Sequence, residues 1–189
     1  MISRYWSKKM SKKVLIGYST WSGTTHEVAD AISRELQKAG FQTQVRNLKK
    51  FTLEEEFDAY IIGTSIHASR PGGTFINFLK KNHTELNKKP TAYFVVCANL
   101  YQDTPENQKE TLEWMDEALK DIPEIPILDT GLFGGAVLTN GEDYNKLNFA
   151  AKFIIKSMKK SVDEKLNGND FRDWEKIKAW ANEIAHKLK

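Results

Sequence analysis

The sequence predicts an α/β protein organised as a doubly wound parallel sheet. Short apolar runs alternate with helical patterns along the chain, the arrangement that joins parallel strands by crossover helices. Three of those runs open into polar loops, at 19–25, 64–73 and 98–103. Right-handed crossovers gather such loops on one sheet edge, where ligands of this architecture bind. The third observation is local. An apolar run, Val14-Leu15-Ile16, leads through a hydroxyl-rich turn into an amphipathic pattern within about a dozen residues.

Each element follows from its residues. Val28, Ile32, Glu35 and Leu36 share one face of the first helix, which should stop at Ala39-Gly40. Gln42 to Leu48 alternates weakly and reads as the second strand. Thr52-Leu53-Glu54-Glu55-Glu56 reads as a short helix, and Ala59 to Gly63 as a buried strand. A helix with Phe75, Phe78, Leu79 and Leu86 on one face ends before Pro90, and Ala92 to Cys97 forms the next strand. Thr104-Pro105 is a helix start, with a hydroxyl at the cap and proline at the first helical position. That helix continues through Leu112, Met115 and Leu119 to about Lys120. Ile125 to Leu138 holds a fifth strand, interrupted at Gly131 and Gly134-Gly135. The last helix begins near Asp173 and carries Trp174, Ile177, Ala181, Ile184 and Leu188 on one stripe.

The chain reads as a basic arm, residues 1–12, followed by a single domain, 13–189. A length of 189 residues suits one domain with a real core. Hydrophobic and charged fractions of 40% and 28% fit a globular protein and exclude a disordered one. The net charge is +3, yet Arg4, Lys8, Lys9, Lys12 and Lys13 supply five of the 28 basic residues. Setting them aside leaves 23 against 25 acidic, so the basicity belongs to the arm. The arm reads either as a frayed terminus, with Met10 a natural start, or as a contact for an anionic membrane. A slightly acidic core without a recognition motif argues against nucleic acid. One cysteine, Cys97, excludes an internal disulfide and fits a reducing cytosol. The four histidines lack metal-ligand spacing, so no metal site is expected. With no signal segment and no spanning run visible, the expected location is cytoplasmic.

The turn Ser19-Thr20-Trp21-Ser22-Gly23-Thr24-Thr25 carries the most chemistry. The first amides of a helix have no intrahelical partner and point outward with the positive end of the dipole. Five hydroxyls surround them, and Gly23 lets the backbone approach a ligand. No lysine follows the glycine, so a magnesium polyphosphate is disfavoured, and the three glycines of a dinucleotide turn are absent. A terminal phosphate monoester fits; an ordinary Ser/Thr helix cap is the alternative.

From Tyr18 to Ile32 the chain resembles the phosphate-loop signature of the flavodoxins, with the aromatic, hydroxyl, glycine, threonine and aliphatic positions in register. Gly17 departs from it, where an aliphatic residue is usual. The resemblance implies a flavodoxin-like fold of five parallel strands, order 2-1-3-4-5, that binds FMN. It places the phosphate on Thr20 to Thr25 and the isoalloxazine ring between loops 64–69 and 98–101. A narrower similarity rests on Gly63-Thr64-Ser65-Ile66, the Phe75 helix, Pro90 to Phe94, Tyr144, Phe153 to Lys156 and the Asp173-Trp174-Glu175 helix. It points to the menaquinone-dependent protoporphyrinogen dehydrogenases, flavodoxin-domain enzymes of haem synthesis. The loop His67-Ala68-Ser69-Arg70-Pro71-Gly72-Gly73 departs from that family, which leaves the substrate less defined than the fold and cofactor.

The candidate cofactor-binding residues are Ser19, Thr20, Trp21, Ser22, Gly23, Thr24, Thr25, Thr64, Ser65, Ile66, His67, Ala68, Ala98, Asn99, Leu100 and Tyr101. His67 is the candidate catalytic group, an imidazole able to offset charge or shuttle a proton; the alternative is a solvent-exposed loop histidine. Tyr101 reads either as a ring that stacks on the flavin or as the start of the next loop. Cys97 reads as an inert core thiol. One-electron carriers rely on a glycine whose peptide turns cheaply beside the flavin. Here Ile66-His67-Ala68 occupies that place, which favours two-electron chemistry.

Two functional classes follow. One is an FMN-dependent oxidoreductase that passes hydrogen from a small-molecule substrate to a quinone. The other is a flavodoxin-type electron-transfer protein that docks on redox partners; its usual strongly acidic surface is missing here. Within residues 148–160, Phe149, Phe153, Ile154 and Met158 can share a face among Lys152, Lys156, Lys159 and Lys160. That stretch reads either as a peripheral contact on the inner face of the membrane or as an insertion that packs its apolar face on the domain.

Overall fold

The computed structural model describes residues 11–137, 139, 142–166 and 168–189. Most of the basic arm, residues 1–10, lies outside them. Strand β1 (Lys13–Ser19) leads into helix α1 (Thr24–Lys38), then β2 (Gln42–Asn47), β3 (Ala59–His67), β4 (Arg70–Pro71) and α2 (Gly73–Leu86). Strand β5 (Thr91–Cys97) ends in a 3₁₀ turn, Ala98–Tyr101. Helix α3 (Pro105–Leu119), β6 (Ile127–Gly134), α4 (Glu142–Asn145), α5 (Phe149–Leu166) and α6 (Trp174–Leu188) complete the order. The five long strands are parallel, in the order β2-β1-β3-β5-β6. This is the expected 2-1-3-4-5 arrangement with the two-residue β4 added antiparallel to β3.

Both sheet faces are covered, so the central strands are apolar throughout rather than alternating with polar residues. On one side Val14, Ile16, Ile61 and Phe94 pack against α1 and α6. On the other Leu15, Tyr60, Ile62 and Val95 pack against α2 and Met115 of α3. Glycines make the sheet fit these layers. A Cβ at Gly63 would lie 2.0 Å from the Phe94 ring, and one at Gly17 2.6 Å from Leu48. Gly17, the departure from the phosphate-loop signature, thus makes room for the end of β2's following turn.

Helix boundaries follow their caps. Thr104 accepts from the Asn107 amide and Asp173 from the Lys176 amide. Lys12 reaches across to donate to the Leu188 carbonyl at 2.5 Å, satisfying one of the free acceptors that end α6.

Three expectations are corrected. Residues 52–56 form no helix. Phe51, Leu53 and Phe57 pack into the core at a spacing of two to four, and Glu55 pairs with Lys13 of β1, which together hold the segment in an irregular course. β6 runs unbroken through Gly131. A Cβ there would meet Phe133 at 2.6 Å and Trp180 at 2.9 Å, so the glycine accommodates packing instead of ending the strand. β3 extends to His67, and its polar loop is a hairpin with β4.

Asp129 of β6 ties α6 down by accepting from Trp180 Nε1 at 3.3 Å and from Lys187. Burial pushes its carboxyl up, but the hydrogen bonds from Lys187 and Trp180 outweigh that and hold it below the ordinary carboxylate range. A carboxylate depressed in the folded state contributes stability above its unfolded value of about 4, and that contribution is lost as pH falls through the lower folded value. Asp129→Asn is therefore expected to cost about 1 kcal/mol at neutral pH. It should cost nothing once acid protonates the wild-type group, which urea melts at both pH values would check.

Candidate functional site

The carboxyl ends of β1, β3, β5 and β6 meet at one cleft. Trp21, Ser22 and Thr24 line it from the first loop, Ser65, Ile66 and His67 from the second, and Val96 and Ala98 from the third. The three segments expected to converge do converge. A fourth wall was not legible: Gly135, Ala136 and Val137 after β6, together with Ile155 of α5. The sequence marks that strand end only by the pair Gly134-Gly135, and a glycine pair by itself does not announce a wall. A larger hollow of about 450 Å³ under α3, lined by residues such as Leu79, Tyr93 and Met115, lies against the amino-terminal parts of β5 and β6. It lies away from the carboxyl ends of the strands, where the three polar loops meet, so the loop-edge cleft is the better site.

The first loop is shaped for an anion. Gly23 takes φ 99° as the residue before α1, and no side chain caps that helix. The Thr20 hydroxyl instead accepts from the Gly23 amide at 2.9 Å, closing the turn. The ordinary Ser/Thr helix cap is thereby excluded. Ser19 and Thr24 are nearly buried and Thr25 is wholly buried. The Thr25 hydroxyl has no hydrogen-bond partner, although an unpaired buried hydroxyl costs about 1–3 kcal/mol. A site that holds an oxyanion explains such an orphan donor, and the hydroxyls and amides of this turn suit a phosphate monoester without a cation.

The second loop spends some of its candidates on itself. Thr64, fully buried, accepts from the Gly72 amide at 3.1 Å and donates to the Ser65 carbonyl, so it closes the hairpin base. Ala68 and Ser69 take φ 50° and 57° at the tip. Two central residues at positive φ match the twist of a tight hairpin, usually with Asn-Gly. For Ala and Ser this conformation costs about 1 kcal/mol each. Ala68→Gly is accordingly expected to raise the unfolding free energy by up to about 1 kcal/mol, read as a higher urea midpoint with an unchanged slope. A lower midpoint would show that the Ala68 methyl contributes packing that outweighs the strain.

His67 is exposed at the end of β3, and its ring lies 4.2 Å from that of Trp21, tilted by 58°. The first two loops therefore touch through these rings at the mouth of the cleft. His26, one turn into α1, stacks on Tyr18 at 4.7 Å and faces Asp30, away from any such role.

The third loop divides. Ala98 lines the cleft, whereas Leu100 is buried in the core on the α2 side. Asn99 donates to the Asn107 carbonyl and to Glu110 of α3. Tyr101 sets its ring edge-on to Phe171 at 6.0 Å. Leu100 and Asn99 thus shape the loop from behind, through packing that their sequence position did not reveal. Cys97 is buried, and burial pushes its thiol up, as suits an inert core residue.

Helix α5 corrects a further expectation. Ile155 is buried beside Val137 and Tyr144, with Trp21 and Val162 packed against them. Phe149, Phe153 and Ile154 instead point outward, 86%, 67% and 48% exposed. The helix packs through a different face from the one whose apolar residues were expected to lie on the domain. The Met158 side chain falls outside the described residues. No described helix is long and apolar enough to cross a membrane, and no metal-binding cluster occurs among the described residues.

Comparison with known proteins agrees with this geometry. Residues 15–167 match the flavodoxin domain family. Protoporphyrinogen IX dehydrogenase [quinone] of Escherichia coli (strain K12) is 32% identical over 179 residues, covering 92% of this chain and 95% of that protein. The protein of the same name from Leishmania major is 25% identical, over 93% of this chain and 75% of its own length. Among solved structures, a flavodoxin of Streptococcus pneumonia superimposes with a TM-score of 0.52 at 14% identity, covering 93% of this chain and 99% of that one; it supports the fold.

Proposed function

The chain belongs to the flavodoxin domain family, and from that premise we propose that it is an FMN-dependent oxidoreductase that takes hydrogen from a porphyrinogen and passes it to a quinone. One observation carries the reading. A chain similar to a quinone-linked protoporphyrinogen IX dehydrogenase over 95% of that enzyme's length folds so that four loops enclose one cleft beside an anion-shaped turn. When bound, FMN supplies the two-electron chemistry.

The residues have separate tasks. Thr20 to Thr25 hold the phosphate through amides and hydroxyls, with the Thr25 hydroxyl as a buried donor. Ser65 to His67 and Ala98 flank the ring, Asn99 and Leu100 hold the third loop from behind, and Gly135 to Val137 close the remaining side. Trp21 and Ile155 exclude water from that wall. His67, exposed at the mouth, moves a proton between the leaving hydrogen and solvent at its ring nitrogen. The hydrogen pair lost by the porphyrinogen appears as quinol, so donor oxidation and acceptor reduction balance.

The outward face of α5 supports a peripheral membrane contact on the inner face, where a lipid-soluble quinone resides. Phe149 and Phe153 stand one turn apart, with Lys156 and Lys160 on the same side. Flotation with phosphatidylglycerol vesicles should retain the wild type and lose a Phe149→Ser, Phe153→Ser variant; equal flotation of both would dismiss the contact.

The test of the main reading is anaerobic. Protein loaded with FMN should oxidise protoporphyrinogen IX in the presence of menadione, read as porphyrin fluorescence. His67→Ala should lower the rate and flatten its pH profile. FMN binding without any turnover would favour the electron-transfer protein instead.

A further inference from the structure

The segment 169–176, which links α5 to α6 and forms the first turn of α6, holds three of the four loops of the cleft together. Its backbone pairs with the fourth loop: Val137 donates to the Asn169 carbonyl at 2.8 Å and Phe171 to the Gly135 carbonyl at 3.0 Å. Ala136 and Asp170 form an antiparallel bridge between those bonds. On the other side of the fourth loop, Gly135 donates to the Cys97 carbonyl at 2.8 Å. A Cβ at Gly134 would lie 1.8 Å from the Phe171 carbonyl oxygen, and one at Gly135 2.9 Å from the Ala98 nitrogen. The fourth loop is therefore pressed between the third loop and this segment.

Side chains extend the hold. Phe171 meets Tyr101, and Lys176 pairs with Asp103 at 2.6 Å. Arg172 is the centre. Its side chain is only 3% exposed. Nε and Nη2 donate to the two oxygens of Asp170 at 2.8 and 2.6 Å, a fork that fixes the plane of the guanidinium. Nη1 donates to Glu27 at 2.7 Å, 145 residues away in the chain. The guanidinium also lies 4.7 Å from the centre of the Trp174 ring. Glu27 sits two residues after Thr25, on the first turn of α1.

We infer that Arg172 is a positioning residue for the cleft: gripped by Glu27 and Asp170, it sets the spacing between the anion-shaped turn and the Gly135–Val137 wall. The inference rests on the flavin reading of the cleft but concerns the coupling of two loops. The charge cost of placing a guanidinium at this depth is offset only because both carboxylates are present. Removing the cation leaves Asp170 and Glu27 facing each other without it, so the two loops move apart together. Lysine keeps the charge but cannot grip both carboxyl groups through a planar fork.

The test combines hydrogen exchange on the FMN-free protein with FMN and riboflavin titrations, for wild type, Arg172→Met, Arg172→Lys and the milder Glu27→Ala, whose exposed carboxylate makes it safe for folding. Lys187→Met, which breaks an ion pair away from the cleft, is the control. Arg172→Met should speed exchange in peptides covering both 22–25 and 135–137 while β3 and β5 stay protected, and should weaken FMN binding about tenfold or more. Arg172→Lys should recover part of both effects, and Glu27→Ala should loosen both loops to a smaller degree. The control should lower the melting temperature without either effect. A lower melting temperature for Arg172→Met with unchanged exchange in the two loops, or exchange raised in one loop only, would overturn the inference. Exchange raised in both loops of Arg172→Met, together with a wild type that binds no FMN, would uphold the spacing role and overturn the flavin reading.

Discussion

Gly63→Ala should be among the most damaging single substitutions in this chain. Gly63 lies in the middle of β3, and the added methyl carbon would fall 2.0–2.3 Å from three atoms of the Phe94 ring. Phe94 is fully buried on the adjacent strand β5, paired with Gly63 in register. Neither partner has room to give, because both strands are central and covered on both faces. Overpacking of this kind costs about 1–3 kcal/mol and more where relaxation is blocked. A loss of about 3 kcal/mol in urea unfolding is the expected result. Phe94→Ala should cost about 3–5 kcal/mol by itself through the cavity it leaves. The pair should be strongly non-additive, since the alanine methyl at 63 would enter the space vacated by the ring. Additive losses would show that the clash is relieved elsewhere.

The second large effect separates binding from folding. Thr25→Val keeps the shape of the side chain and removes a buried hydroxyl that lacks a partner. Without ligand, the variant should be as stable as wild type or up to about 1 kcal/mol more stable, because the desolvation cost of the orphan group disappears. FMN affinity should fall about tenfold or more, as a hydrogen bond to a charged phosphate contributes about 1.5–3 kcal/mol. Riboflavin, which has no phosphate, should bind both proteins equally. Opposite signs for stability and affinity in one variant would mark Thr25 as a binding group. Equal loss of FMN and riboflavin affinity would instead mean that the substitution deforms the turn.

Residues whose role is local were legible. Gly23 and the hydroxyls around it lie within one strand–turn–helix unit, so spacing alone exposes their chemistry. The alternation of strands and helices likewise required only periodicity. The hairpin tip was hidden because Ala68 and Ser69 occupy positions that glycine or asparagine usually mark, and nothing in their identity announces a positive φ. The walls supplied by Val137 and Ile155 were hidden for another reason: they reach the cleft through packing with Trp21 and Tyr144, from elements far apart in sequence. The irregular course of residues 51–57 reflects the same limit. Phe51 and Phe57 are drawn into the core by partners on other elements, and that pull outweighs the weak helical preference of three adjacent glutamates.

The bond from Lys12 to the Leu188 carbonyl has a use in engineering. It brings the start of β1 beside the end of α6, on the part of the fold opposite the loop edge. A short flexible peptide joining residues 189 and 12 would therefore close the chain with little entropy to overcome. New ends could be opened at Asn87–Lys89, an exposed turn between α2 and β5. A circular permutant cut there would keep all four cleft loops continuous while reversing the order in which the two halves of the sheet emerge during synthesis.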